Sequence, residues 1–299
     1  MFTDTHCHFS YLGERGFDTS TLLKDLTAAH FPCVIDAGTK AGDLPERARL
    51  VNEALSRIED IAVHTEAAHM LRFTAGIWPD AEAVRNRFNE VARLTQIVES
   101  SLAGTADPLT GTFLPRIVSI GECGHDHHWD IAGTDHRDEA DFASDKMIAA
   151  ESELFEMQIE LASKHNLPVM VHTRDAFEDS YGCIRNMGYH NGEIHCFSYT
   201  IEEAEKFLDL GWYIALGGAV TYTKKSRQEA MDSLIRYIPD DRLLLETDAP
   251  YLAPVPERGK PNTPLFIEHT YRYIAERRGI SAEELAALVL KNTRRLYGI

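Results

Sequence analysis

Six side chains suited to metal chemistry stand at the ends of short apolar runs along this sequence: His6, His8, Glu122, His172, His195 and Asp248. Four imidazoles and two carboxylates form a mixed nitrogen and oxygen donor set. Zinc or manganese accepts such a set more readily than calcium or magnesium, which prefer oxygen, so magnesium is the third choice. Six donors exceed one tetrahedral shell. Shared between two divalent ions about 3.5 to 4 Å apart, they leave positions open for water and substrate, as hydrolysis requires. A closed structural zinc would commonly use cysteine, and Cys7, Cys33, Cys123, Cys183 and Cys196 show no such spacing.

Taken singly, each residue has an ordinary explanation. Among fourteen histidines a His-x-His pair arises by chance about once, and His125-x-His127 supplies a second. Phase distinguishes the first pair: side chains alternate along a strand, so Asp4, His6 and His8 face one side while Cys7 faces the other. His172 and His195 end continuous hydrophobic runs, where an unpartnered imidazole is costly. Glu122 stands where the run Ile117 to Ile120 is expected to emerge from the core. Asp248 follows Leu243-Leu244-Leu245, and Pro250 and Pro254 leave little helix for it to cap.

The elements that must position these groups are eight candidate strands: Phe2 to Thr5, Cys33 to Ala37, Phe73 to Ile77, Ile117 to Gly121, Pro168 to His172, Glu193 to Phe197, Trp212 to Leu216 and Leu243 to Thr247. Helix-period segments separate them. In Glu151 to His165 the residues Leu154, Phe155, Gln158, Leu161 and Ala162 share a face, and in Ile201 to Leu210 Ala204, Phe207 and Leu208 do. Eight buried strands alternating with helices predict a parallel (β/α)8 TIM barrel, whose catalytic groups sit at the C-terminal strand ends. An open dinucleotide-binding sheet would carry a glycine-rich turn after the first strand, where this chain has Thr5-His6-Cys7-His8-Phe9.

Two further helices are expected between Pro264 and Leu296, the second opened by a Ser281-x-x-Glu284 capping box. Three segments read as long loops: Asp60 to Arg72 and Leu102 to Arg116 on the barrel floor, and His125 to Lys146 over its mouth. No linker-like stretch interrupts the chain, so residues 1–299 are expected to form a single domain.

Composition narrows the function classes. Apolar content of 44% with 26% charged residues suits a soluble globular protein. Forty-seven acidic against thirty basic residues give a formal charge of −17, which opposes tight non-specific binding to duplex nucleic acid. Metal ions would reverse that sign locally. Five scattered cysteines argue against a disulfide framework, and no apolar run is long enough for a membrane helix. A cytoplasmic location with no membrane partner is the resulting expectation.

At the motifs Asp4-Thr-His6-Cys-His8, Ile120-Gly-Glu122-Cys-Gly124, Pro168-Val-Met-Val-His172-Thr-Arg174, Ile194-His195-Cys-Phe197-Ser198, Leu245-Glu246-Thr-Asp248-Ala-Pro-Tyr251-Leu252 and Arg258-Gly-Lys260-Pro-Asn262, the chain resembles the TatD family of metal-dependent deoxyribonucleases and hydrolases. That resemblance implies that His6 and His8 bind a first metal, Glu122 bridges two, and His172 and His195 bind the second. Asp248 then binds the first metal and handles the proton of the attacking water. Arg174 is expected to hold a phosphate oxygen, Asn262 to contact substrate, and Glu246 to support a ligand without being one. Two departures bear on substrate. Gly76-Ile77-Trp78-Pro79 has tryptophan where the family commonly has histidine, and Gly124-His125-Asp126-His127-His128-Trp129 opens a long polar stretch in place of a short turn.

The expected function is phosphodiester hydrolysis by a metal-activated water, with single-stranded DNA, DNA ends or a small phosphate ester as partner. The alternatives are the same site acting on an amide, lactone or aminoacyl ester, and a metal-binding module without turnover. Arg174 and the Arg258 to Asn262 segment favour phosphate, and Asp248 argues against the module.

Overall fold

The computed structural model describes residues 1–128 and 145–299, so the expected loop over the mouth lies largely outside the described residues. Eight strands form one sheet in chain order: β1 (Thr3–Cys7), β2 (Cys33–Asp36), β3 (Leu71–Ala75), β4 (Ile117–Asp126), β5 (Val169–Arg174), β6 (Gly192–Ile194), β7 (Tyr213–Leu216) and β8 (Leu243–Leu245). Every adjacent pair is parallel. Helices lie between them, and the ring is nearly closed past the end of β8. There Cys7 bridges Ala249, His8 N–H donates to Ala249 O at 2.8 Å, and Asp248 N–H donates to His6 O at 2.8 Å.

The period-two alternation decides which side chains enter the barrel. Along β2, Cys33 and Ile35 join a small interior cluster while Val34 packs outward against helices. Met170, Tyr213, Ala215 and Leu244 point inward, whereas Val169, Val171, Ile214, Leu243 and Leu245 pack outward. His172, His195 and Glu246 continue the inward phase of Met170, Glu193 and Leu244 at the mouth. Leu296 and Tyr297, at the end of the last helix, join the interior cluster and plug the floor. A cavity of about 990 Å³ also opens on the floor, beside Arg72, Arg116, Pro168 and Asn191.

Three expectations need correction. The Asp60 to Arg72 floor loop is a helix, Ile61–Met70, whose Asp60 cap accepts from Ala62 N at 2.8 Å and Val63 N at 3.2 Å. Only Ala67 and Met70 of that helix are buried, so its sequence carries no apolar stripe. Leu102 and Ala103 belong to the helix Arg87–Ala103, which shortens the second floor loop. Third, β4 does not end at Gly121. Its register against β5 shifts between Ile120 and Cys123, and the strand then continues through His125 and Asp126. Gly124 makes that continuation feasible, because a Cβ there would overlap the His172 carbonyl.

The two C-terminal helices form as read, Ile267–Arg278 and Ala282–Tyr297. Ser281 Oγ accepts from Glu284 N at 3.1 Å, and Glu284 Oε2 accepts from Ser281 N at 2.8 Å. All five face residues of the helix Asp145–His165 are buried, and Gln158 reaches out of it to grip both Ile77 N (2.8 Å) and Ile77 O (3.1 Å). No disulfide joins the cysteines: four are buried and Cys196 is partly exposed. Among the described residues no helix is long and apolar enough to cross a membrane.

Candidate metal centre

The C-terminal strand ends bring all six candidate ligands together around Glu122. Its backbone N–H donates to Gly38 O at 2.7 Å, and its side chain is almost wholly buried. One carboxylate oxygen, Oε2, lies 3.3 Å from His6 Nε2 and 3.6 Å from His8 Nε2. The other, Oε1, lies 2.8 Å from His172 Nδ1 and 3.2 Å from His195 Nε2. Asp248 completes the first side, with Oδ1 3.5 Å from His8 Nε2 and 3.7 Å from His6 Nε2. Asp248 holds a left-handed backbone, φ 55°, in the turn after β8. Aspartate tolerates this conformation better than most residues.

This arrangement passes a chemical test for cation binding. His6 Nε2 and His8 Nε2 face each other at 3.1 Å, so two ring nitrogens and two carboxylates address one small volume. His6, His8 and Asp248 form one group able to hold an ion, and His6, Glu122 and His195 form another. Burial alone would raise Glu122, but the His195 and His6 imidazoles and the hydrogen bonds from His172 and His195 outweigh it and hold the carboxyl well below its ordinary value. Asp248 follows the same pattern: burial opposes its charge, and His8, His6 and His195 restore it. Burial and the nearby His195 lower His6, which keeps its ring nitrogens available as donors.

Further carboxylates back the second side. His172 Nε2–H donates to Asp126 Oδ2 at 2.9 Å, and Asp126 and Glu122 outweigh burial to push His172 up to about 9. His195 Nδ1 lies 3.3 Å from Glu246 Oε1, and Glu246 and Glu122 raise His195 well above its ordinary value against burial. Glu246 also accepts Cys196 N–H at 2.6 Å, which fixes its direction. Glu246 thus takes the supporting place expected of it, one residue beyond β8. Asp126 was not singled out by the sequence reading, because it fell in the expected loop. Its signal was its place on Glu122-Cys-Gly-His-Asp126 as a continuation of the strand.

Asp4, which shares a face of β1 with His6 and His8, and Asn262 both have structural roles beside the site. Asp4 does not join the ligands: it is fully buried and accepts from Thr247 Oγ1 at 2.6 Å and Thr247 N at 2.9 Å, tying β1 to the segment after β8. Burial pushes Asp4 up to about 8. Asn262, expected to contact substrate, is also fully buried. Its Nδ2 donates to Thr247 O at 2.9 Å and its Oδ1 accepts from Thr263 N at 2.9 Å, so it braces the Asp248 turn from behind. Arg174 is exposed at the end of β5, and Trp78 lies edge-on to His172 with ring centroids 5.7 Å apart.

A nearly closed parallel barrel whose strand ends bring four imidazoles and two carboxylates together defines a class of site able to hold cations. The chain belongs to the TatD related DNase family, whose sequence profile matches residues 3–298. It is 31% identical to the uncharacterized metal-dependent hydrolase TatD of Mycobacterium tuberculosis, over 99% of this chain and 97% of that protein. Against a 3'-5' ssDNA/RNA exonuclease TatD of Pantoea vagans it is 34% identical, over 61% of this chain and 66% of that protein. The match to the uncharacterized metal-dependent hydrolase YabD of Bacillus subtilis likewise spans 66% of that relative's length. Among solved structures, YJJV, a TatD homologue from Escherichia coli, shares 26% identity at a TM-score of 0.74, covering 100% of this chain and 98% of that one.

Proposed function

We propose that this protein, as one domain over residues 1–299, hydrolyses phosphodiester bonds in DNA or a small phosphate ester at a centre of two divalent ions. His6, His8 and Asp248 would hold one ion and His172 and His195 the other, with Glu122 contributing to both. The observation that carries this reading is the Glu122 carboxylate, with one oxygen turned to each imidazole pair. The exonuclease name of the Pantoea vagans relative supports a nucleic-acid substrate. Zinc or manganese fits the donor set best.

When bound, two such ions polarise the phosphoryl group and make water a nucleophile near neutral pH. This chain's residues do the rest. Asp248 stays ionised because of its imidazole neighbours and takes the proton from attacking water. Asp126 and Glu246 keep His172 and His195 aimed at Glu122. Arg174 extends from the end of β5 to hold a phosphate oxygen.

The test is a metal-reconstituted assay of wild type and Asp248→Asn on single-stranded DNA, bis(p-nitrophenyl) phosphate and a lactone panel. The expected result is metal-dependent cleavage of both phosphodiesters, with turnover falling about 10²-fold or more in the variant while metal content changes little. Lactone hydrolysis without phosphodiester cleavage would establish the carbonyl reading instead.

A further inference from the structure

Three exposed or partly exposed aromatic rings flank the mouth on both sides of Glu122, and metal chemistry uses none of them. Tyr251 is 44% exposed, although its backbone N–H donates to Asp248 O at 2.8 Å and fixes its place beside the site. Its ring meets Tyr11 at 6.4 Å, and both approach His8, at 6.5 and 5.2 Å. Trp78 stands beside His172, on the opposite side of Glu122.

Thr39 ties the two ends of this arc together. Its hydroxyl pairs with Tyr11 Oη at 2.8 Å, and its carbonyl accepts Trp78 N–H at 2.9 Å. Gln158 clamps Ile77, the residue before Trp78, through both backbone groups. The rings are therefore anchored by their backbones and neighbours while keeping open faces. Ordinary core packing would bury those faces, whereas Tyr251 is one of the exposed large hydrophobic residues.

We propose that Tyr251, Tyr11 and Trp78 form a stacking shelf for unpaired bases on either side of the phosphate that meets Glu122. This deepens the hydrolytic reading above and rests on it: the shelf would make these three rings the determinants by which the site selects at least two unpaired bases beside the scissile phosphate. Every base offers a flat face to an aromatic ring, so the shelf tolerates any sequence, whereas a duplex keeps those faces stacked on one another. A shelf of this kind also supplies attraction that does not depend on charge. That suits a chain with a net charge of −17, for which long-range attraction to a polyanion is unfavourable.

The experiment compares wild type, Trp78→Ala and Trp78→Phe on oligothymidylate, on the same backbone carrying abasic sites, and on bis(p-nitrophenyl) phosphate. Stacking predicts that Trp78→Ala loses about tenfold more kcat/KM on oligothymidylate than on the small diester, chiefly through KM, and that Trp78→Phe recovers most of it. Wild type should prefer oligothymidylate over the abasic strand, and Trp78→Ala should erase that preference. Equal losses on the two substrates, or an undiminished preference, would overturn the shelf. A second readout is independent of turnover: phosphorothioate oligothymidylate should quench tryptophan emission of the metal-loaded wild type and not of Trp78→Phe. Equal quenching in both proteins, or none in wild type, would also overturn it. If wild type cleaves neither phosphodiester, the hydrolytic reading fails, and the quenching still decides whether bases stack on Trp78.

Discussion

On one side of Glu122, His8 Nδ1 leans on the neutral Ala37 carbonyl at 3.1 Å, and His6 Nδ1 has no hydrogen-bond partner among the described residues. On the other side, His172 donates to the buried Asp126 carboxylate at 2.9 Å, and His195 Nδ1 lies 3.3 Å from the buried Glu246 carboxylate without a well-aligned hydrogen bond. The same ligand type is thus tuned in two ways. A carboxylate behind an imidazole raises its basicity and fixes its ring, so the His172 and His195 side should hold a cation more tightly. The His6 and His8 side carries Asp248, to which we assign the proton transfer, and a looser ion there would suit exchange of water and product.

Four experiments can break or sharpen that comparison. The largest effect is expected from Glu122→Ala, which removes the group common to both sides. Metal per chain should fall on both, and turnover should drop by about 10³-fold or more. Elemental analysis finding full metal content in that variant would end the idea of a shared carboxylate.

Replacing His6 and His8 together by alanine should empty only the first side, since one imidazole pair supplies half a tetrahedral shell. One ion per chain should then remain, on His172 and His195. Circular dichroism should show the fold intact, and loss of both ions would mean the two sides are not separable.

Asp126→Asn leaves every ligand in place but removes the negative charge behind His172. Metal affinity on the second side should weaken about 10- to 100-fold, with the first side unaffected. A competition titration with a chelator reads the two sites apart, and an unchanged tighter site would refute the supporting role of Asp126.

The smallest effect concerns His125, which lies under the second side on β4. It is fully buried, pairs with the Ser180 hydroxyl at 3.1 Å and the Ser152 hydroxyl at 3.0 Å, and burial pushes it down to about 3. Folded His125 is neutral, whereas the unfolded chain protonates it near the ordinary value of 6.5. Its contribution to stability is therefore complete above that value and is lost as pH falls from 6.5 towards 3, by about 1.4 kcal/mol per pH unit. His125→Gln should flatten the pH dependence of urea midpoints between pH 6 and 4. Parallel slopes in the two proteins would show that His125 does not carry the acid sensitivity.

Much of this molecule was legible in its sequence because the relevant patterns are local. Continuous apolar runs such as Cys33 to Ile35 and Leu243 to Leu245 reflect burial on two faces, which any parallel barrel strand needs, so all eight strands could be found. His6 and His8 stand out by their shared strand phase, and His172 and His195 because imidazoles at the ends of such runs are costly without a partner. The partners themselves are set by tertiary structure. Asp4, Asp126, Asp248 and Asn262 are alike in being small and polar, and the sequence does not say which meets a backbone N–H, an imidazole or the open mouth. The shift in β4 register places Asp126 behind His172, and the turn after β8 buries Asn262 while leaving Asp248 at the site. Thr39 joins Tyr11 to Trp78 across residues that lie far apart in the chain. Such pairings depend on which segments the barrel brings side by side, and no local pattern records that.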